Sequence, residues 1–544
     1  MSARRRGPIS TPVDQTLPST REVPRTDPLV FLPALAVALC AGFYLVLAPA
    51  SAADVTGRAM AAITHDFGWL FVLTAAGILG FALWLAFGPY GQVKLGLPED
   101  VPEYSELSWA AMMFSAGIGA GLVSWAFVEP LYYLTGPPLG IEAASSLAAE
   151  WAHMYAMFHW GFVPWAMYAV PTVPIAYALY VRGTPFLRIS VASEGVLRTP
   201  ARKRLEPVID TLVIVGMIGG AATSLGLAVP LVAAFASSLT GVEDGFGLRL
   251  AVLGIWTALF GTSVYQGLKA GIRRLADLNI WLAVIVVLFV LLAGPTVFIL
   301  TLTVNSFGLM VDNFVRMGFW LDPIDAGGFP DAWTLFYWAW WVAYAPLMAL
   351  FFGRISRGRT IRRTVLGIMF CGPLGCLSFM AVCGGYALHL ELTGALPVTE
   401  ILAEQGNAAT VAAIVAALPA GQLVTFVFTV LSFVFLATTL DSVAYVLASI
   451  STRHLPGDEE PDRTLRLVWA FALAFVAVGL LVVDGLQTVQ AMSVITALPL
   501  VPVLGVLVAS VLVWLREDFG AQVRTPVLAL RPDRSIVEVD ASSD

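Results

Sequence analysis

Residues 332–353 read AWTLFYWAWWVAYAPLMALFFG, and the ten that follow, 354–363, read RISRGRTIRR. The first stretch carries no charged side chain and is long enough to cross a bilayer, since about 20 residues at a 1.5 Å rise span a hydrocarbon core of about 30 Å. The second places five arginines directly behind it. An apolar run closed by a basic cluster reads as a membrane span with its cytoplasmic end marked.

Applied outward, the same test finds twelve segments, near 29–49, 66–88, 106–135, 149–181, 208–238, 248–266, 279–304, 332–353, 363–390, 422–452, 465–485 and 495–515. The third, fourth, fifth and tenth exceed what a bilayer requires, which predicts tilt, kinks or helix running on into water. The whole chain agrees. Its 544 residues are 58% hydrophobic and 12% charged, with a mean hydropathy of +0.82, which excludes an ordinary soluble domain. The net charge of −7 belongs mostly to tails and loops, and no basic stripe points to nucleic acid.

Orientation follows from where Lys and Arg fall. With a cytoplasmic N-terminus, 27 of the 30 lie on inner segments, and only Arg58, Arg249 and Arg316 lie outside. Both termini are therefore expected in the cytoplasm. Arg4, Arg5 and Arg6 precede a long polar stretch rather than an apolar one, so the first span is not expected to be a removable signal. The tails, rich in Pro, Ser, Thr and charge, are expected to be mobile. Two outer segments, 305–322 and 396–418, read as helices; Phe307, Val311, Phe314 and Val315 in the first have the spacing of an interfacial helix. Cys40, Cys371, Cys376 and Cys383 show no pairing or metal pattern and read as small apolar residues.

Within the eighth span, Trp340 and Tyr344 are four apart and Trp341 and Tyr344 three apart, so they share an aromatic helix face. That face is either an interfacial belt or the wall of a binding site. The fourth span repeats the theme in His159-Trp160-Gly161-Phe162-Val163-Pro164-Trp165-Ala166-Met167-Tyr168. A quaternary ammonium cannot donate a hydrogen bond, so ring faces meet its charge through cation–π contacts of about 0.5 to 2 kcal/mol each. Acids in the spans are few, notably Glu129 and Asp441.

The third span holds Gly117, Gly119 and Gly121 within five residues. Such a run serves either close helix packing or an opened helix whose free backbone groups face a mid-membrane cavity. In the tenth span, Thr438 and Thr439 offer oxygens to a hard cation such as sodium, or bond their own helix backbone. The basic loop 354–363 is expected to anchor the topology, with a structural or gating role, and to touch anionic lipid. No histidine pair has metal spacing and no nucleophile–base motif occurs, so no enzyme and no cofactor is expected.

FHWGFVPWAMY at 158–168, FYWAWWVAYAP at 336–346 and RISRGRT at 354–360 together resemble the betaine/carnitine/choline transporter family, and the resemblance covers the whole spanning region. It implies an all-α membrane protein with the amino-acid-transporter-like fold of two inverted five-helix repeats, typically a homotrimer. Mapped here, 1–28 is a cytoplasmic tail and 29–105 holds two peripheral helices. The repeats fall at 106–304 and 332–515, with an outer amphipathic helix and loop at 305–331 between them, and 516–544 is the second tail. The family's aromatic box falls on Trp160, Trp165, Tyr168, Trp340, Trp341 and Tyr344, with Gly117, Gly119, Gly121 and Met348 beside it. The sodium ligands of coupled members fall on Ser115, Ile118, Phe435, Thr438 and Thr439. Coupled betaine carriers usually carry a tryptophan where Tyr344 stands; sodium-independent carnitine exchangers tend to have Tyr there, with a Met four residues on, as Met348 is.

The expectation is a secondary carrier of betaine, choline, carnitine or a related sulfonium compound in a bacterial-type inner membrane, working by alternating access. Sodium-coupled uptake leads, and sodium-independent exchange is the alternative. A passive channel needs a continuous polar pore, which spans so poor in charge do not offer. The acidic C-terminal tail lacks the basic extension that osmosensing members use, so strong osmotic activation is not expected.

Overall fold

The computed structural model describes residues 24–524 apart from positions 117, 118, 185, 187, 199, 267, 268, 457 and 458. The expected mobility of the two tails concerns positions almost wholly outside those described. Asp27 caps the first helix by accepting the Leu29 amide at 3.2 Å, and Pro28 at its first position needs no amide partner. From there the chain builds α1 (Pro28–Leu47), α2 (Pro49–Phe87), α3 (Glu106–Ala116), α4 (Ala120–Thr135), α5 (Ser146–His159) and α6 (Phe162–Tyr180). Next come α7 (Pro200–Thr240), α8 (Phe246–Gln266), α9 (Lys269–Ala293) and α10 (Thr296–Phe319). A single π-turn at Pro330–Thr334 leads into α11 (Leu335–Ile355), followed by α12 (Ile361–Leu392) and α13 (Val398–Ala416). The last helices are α14 (Gly421–Ile450), α15 (Arg463–Val483), α16 (Leu486–Ala497) and α17 (Leu500–Arg524). Apart from these, strand β1 (Arg25–Thr26) pairs antiparallel with β2 (Thr452–Arg453).

The chain is an all-α multi-pass membrane protein. Among the described residues, ten helices or merged helix pairs are long and apolar enough to cross a membrane. The total is eleven when α3 and α4, whose axes diverge by 61°, count as one broken span. Each of the twelve expected segments contains helix, although α8 and α9 contribute only shorter qualifying stretches, 246–259 and 278–293.

Several boundaries differ from the expected ones. The run read as a seventh span over 279–304 ends at Ala293, and the outer helix read as 305–322 begins at Thr296. Gly294-Pro295 divides them, because proline has no amide for the helical ladder, and the Thr296 hydroxyl ties the turn to the Leu291 carbonyl at 2.6 Å. Hydropathy averages over such a break. The helix of the second span starts at Pro49 rather than near residue 66, and α17 runs to Arg524, into the segment read as tail.

Small residues bring peripheral helices together. On α1, Ala34, Ala38 and Gly42 recur every four residues and are buried, and a Cβ at Gly42 would lie 2.5 Å from the Phe475 ring of α15. That is the packing expected where lipid gives no hydrophobic drive for helix association. At the centre, α11 packs on α6, α7, α16 and α2, and Leu335 through Pro346 are all buried. Around it, α4 packs on α12 and α7 on α14.

The arginines behind α11 fold back onto the loop before α3. Arg359 is fully buried; it donates to Glu106 Oε1 and to the Tyr104 carbonyl, each at 2.7 Å, and lies over the Trp109 ring at 4.2 Å. Arg357 pairs with Asp100 at 3.0 Å, holding that carboxyl below its ordinary range. The basic cluster is thus bonded to protein, apart from any contact it makes with lipid.

Candidate substrate-binding site

The fourth span is interrupted where its motif begins. Trp160 ends α5 in a non-helical conformation, Gly161 follows, and α6 starts at Phe162. Pro164 falls in the first turn of α6, where a missing amide costs no helical bond. The interruption turns the Trp160 indole toward α11. Its ring stands edge-on to both Trp340, at 5.9 Å, and Trp341, at 5.4 Å. Tyr168, further along α6, lies 5.0 Å from Trp341. Trp340 stacks on Phe336 at 5.5 Å and donates its indole N–H to the Gly220 carbonyl of α7 at 3.3 Å.

These rings enclose a cavity of about 100 Å³ lined by Trp160, Tyr168, Trp340, Trp341, Tyr344 and Met348, with Gly119 and Gly121 on its α4 side. A Cβ at Gly121 would come within 3.0 Å of Trp340 Cη2, so the absent side chain is what admits the indole. Gly117 and Ile118 lie outside the described residues. Trp165 does not line the cavity. It is buried behind it, 5.6 Å from Tyr168 and 6.2 Å from Trp341, against Gly372 of α12. All the rings point inward to protein, whereas an interfacial belt would face the headgroups.

Several wall residues carry no signal in the sequence, Ser224 and Leu436 among them. Ser224 of α7 bonds the Tyr344 hydroxyl at 2.8 Å, and Leu436 reaches the cavity from α14. Ser224 sits in a run of small residues that resembles any packing face, and only the tertiary arrangement selects it.

A second cavity, of about 280 Å³, adjoins the first and shares Ala116, Tyr344, Met348 and Thr439 with it. Ser115, Phe435, Thr438 and Thr439 all line it. The Thr438 hydroxyl bonds the Val434 and Phe435 carbonyls of its own helix, each at 3.1 Å, and Ser115 bonds Met112 O at 3.0 Å.

Behind Trp160 lies a buried polar cluster. Glu129 of α4 accepts the Trp160 N–H at 2.9 Å and the Tyr337 hydroxyl on Oε2, and the Tyr133 hydroxyl at 2.8 Å on Oε1. His159 Nδ1 stands 3.2 Å from Oε1, and its Nε2 stands 3.1 Å from Thr334 Oγ1.

A family model described as "BCCT, betaine/carnitine/choline family transporter" matches residues 29–520. The chain belongs to this family. It is therefore a membrane transporter and not an enzyme. Among BCCT relatives, it is 34% identical over 484 residues to the glycine betaine transporter OpuD of Bacillus subtilis, covering 88% of this chain and 93% of that one. It is 32% identical over 441 residues to a carnitine transporter of Acinetobacter baumannii, covering 81% of this chain and 80% of the relative. An uncharacterized transporter of Escherichia coli, YeaV, is 34% identical over 443 residues, 81% of this chain and 92% of its own.

Proposed function

We propose that this BCCT protein carries a small quaternary-ammonium or sulfonium compound, of the betaine, carnitine or choline type, by alternating access. The wall of the first cavity carries the reading: Trp160, Tyr168, Trp340, Trp341 and Tyr344 surround it, and among the described residues no Lys, Arg, Asp or Glu lines it. Ring faces meet a cation that has no N–H to donate, and the Ser224 and Tyr344 hydroxyls offer polar contact to the rest of the molecule. The names of the carnitine and glycine betaine relatives point the same way.

The two inverted five-helix repeats are supported by partner exchange: α4 of the first packs on α12 of the second, as α11 packs on α6, while α7 packs on α14. Homotrimer assembly is supported by α10, whose Val297, Leu300, Val304, Val311, Val315 and Phe319 form an exposed apolar stripe at helical spacing. The inner membrane, with both termini cytoplasmic, fits the lysine and arginine distribution.

Sodium-coupled uptake is the leading account of the driving force, the ion travelling as second cargo. Its support is that Ser115, Phe435, Thr438 and Thr439 all reach one cavity beside the box; Ile118 is the fifth residue of the set. Sodium-independent exchange has its own observation. The Phe435 carbonyl already accepts the Thr438 hydroxyl, and the Met348 thioether, a poor sodium ligand, stands at both cavities.

Proteoliposome uptake of labelled betaine, choline and carnitine, with and without a sodium gradient, tests both levels. Saturable uptake of at least one, competed by the others, is expected. Absence of uptake for all three would overturn the substrate class. Uptake unchanged without sodium would select exchange.

A further inference from the structure

Glu129 is fully buried, and among the described residues no lysine or arginine pairs with it; the basic side chain beside it is His159, at 3.2 Å. Both of its oxygens act as acceptors, for Tyr133 on one side and for Tyr337 and Trp160 on the other. Burial opposes a charge on Glu129, and the converging hydrogens offset part of that cost; a cation held in the box beyond Trp160 favours the ionised form further. The Trp160 N–H is a donor only, so its 2.9 Å contact fixes the direction of that bond. Trp160 lines the cavity and Glu129 does not.

The indole therefore stands between an acid and the binding space. A hydrogen bond to an ionised acceptor is about twice as strong as a neutral one, and it draws charge from the N–H toward the ring. That deepens the negative face which attracts a cation. The carboxylate adds its own field at short range, in surroundings where charges are weakly screened.

Resting on the reading that a quaternary ammonium occupies the box, we infer that Glu129 is a positioning residue that sets the box's preference for a cationic over a neutral headgroup, acting through Trp160. Span three then contributes more than backbone at its glycines: it supplies the counter-charge one side chain behind the aromatic wall.

The test uses the full-length purified transporter and two probes of nearly equal shape: choline, and its neutral tert-butyl analogue with carbon in place of nitrogen. Wild type is expected to bind choline more tightly. Glu129→Gln, which keeps size and one acceptor but removes the charge, is expected to weaken choline roughly tenfold and leave the analogue unchanged. Glu129→Asp keeps the charge but retracts it by one methylene, and is expected to lower the ratio by less; it serves as the reading if the Gln variant fails to fold. Equal weakening of both probes marks a merely structural role and overturns the inference, as does a ratio unchanged in the folded variants. If wild type binds both probes equally, the aromatic-box reading falls and this inference with it; if it binds neither, betaine or carnitine, whichever the uptake assay selects, and its neutral carbon analogue replace them and the same outcomes decide.

Discussion

The hydroxyls of Ser224 and Tyr344 stand 2.8 Å apart, joining α7 to α11 at the cavity wall. Tyr344→Phe removes one partner and leaves the Ser224 hydroxyl without it, at a cost of about 1 to 3 kcal/mol. Ser224→Ala combined with Tyr344→Phe removes both groups and should cost less than the two single changes together, with a coupling of about 1 kcal/mol. Thermal unfolding of the purified variants reads the cycle. Strict additivity would show that the contact carries no stability.

Trp341 touches Trp160, Trp165 and Tyr168. Trp341→Ala should abolish uptake while the protein still inserts into the membrane, at a stability cost of about 3 to 5 kcal/mol. Uptake assayed beside surface labelling separates the two effects. Normal transport would remove Trp341 from the site.

Gly372 lies on α12, outside the cavity lining, yet a Cβ there would come within 2.0 Å of Trp165 Cζ3. Because Trp165 backs Tyr168 and Trp341, Gly372→Ala should displace the wall from behind. We expect a destabilisation of about 1 to 3 kcal/mol together with a raised KM. A raised melting point with unchanged KM would contradict the packing.

Asp27 accepts ion pairs from Arg453 at 2.9 Å and Arg188 at 3.1 Å. Burial opposes its charge, but the two guanidiniums prevail and hold the carboxyl below its ordinary value. A lowered folded-state value stabilises the protein above the unfolded value of about 3.9, and that contribution is lost as pH falls through the folded one. Asp27→Asn preserves the helix cap and isolates the charge. The variant should unfold at a lower temperature than wild type near neutral pH, and the gap should close below about pH 4. A gap that stays constant into acid would assign the effect to something other than this carboxylate.

Membrane character and most span positions are legible because charge exclusion acts over windows of about 20 residues. What is not legible is local. The Gly294-Pro295 break sits within one apolar run, and Pro346 lies inside α11 without ending it, so proline alone does not mark the corner. The aromatic residues announce a site by their crowding, yet six tryptophans and tyrosines chosen by motif do not all face the same space. Trp165 differs from Trp160 in which side of the interrupted span it follows, and that depends on how α5 and α6 meet. Glu129 is visible as a rare acid in a span, but its partners Tyr133, His159, Trp160 and Tyr337 come from three helices and the α5–α6 junction, which no spacing rule links.

The contact between Arg359 and Trp109 gives the basic loop a mechanical meaning. Its guanidinium lies over a ring on the first turn of α3 and is bonded to the backbone just before it, while the loop itself continues directly from α11. The start of α3 and the end of α11 are thus tied to each other, and Tyr344 and Met348 lie on the second of these helices. The same arginines therefore join the start of α3 to the helix that carries the cavity wall.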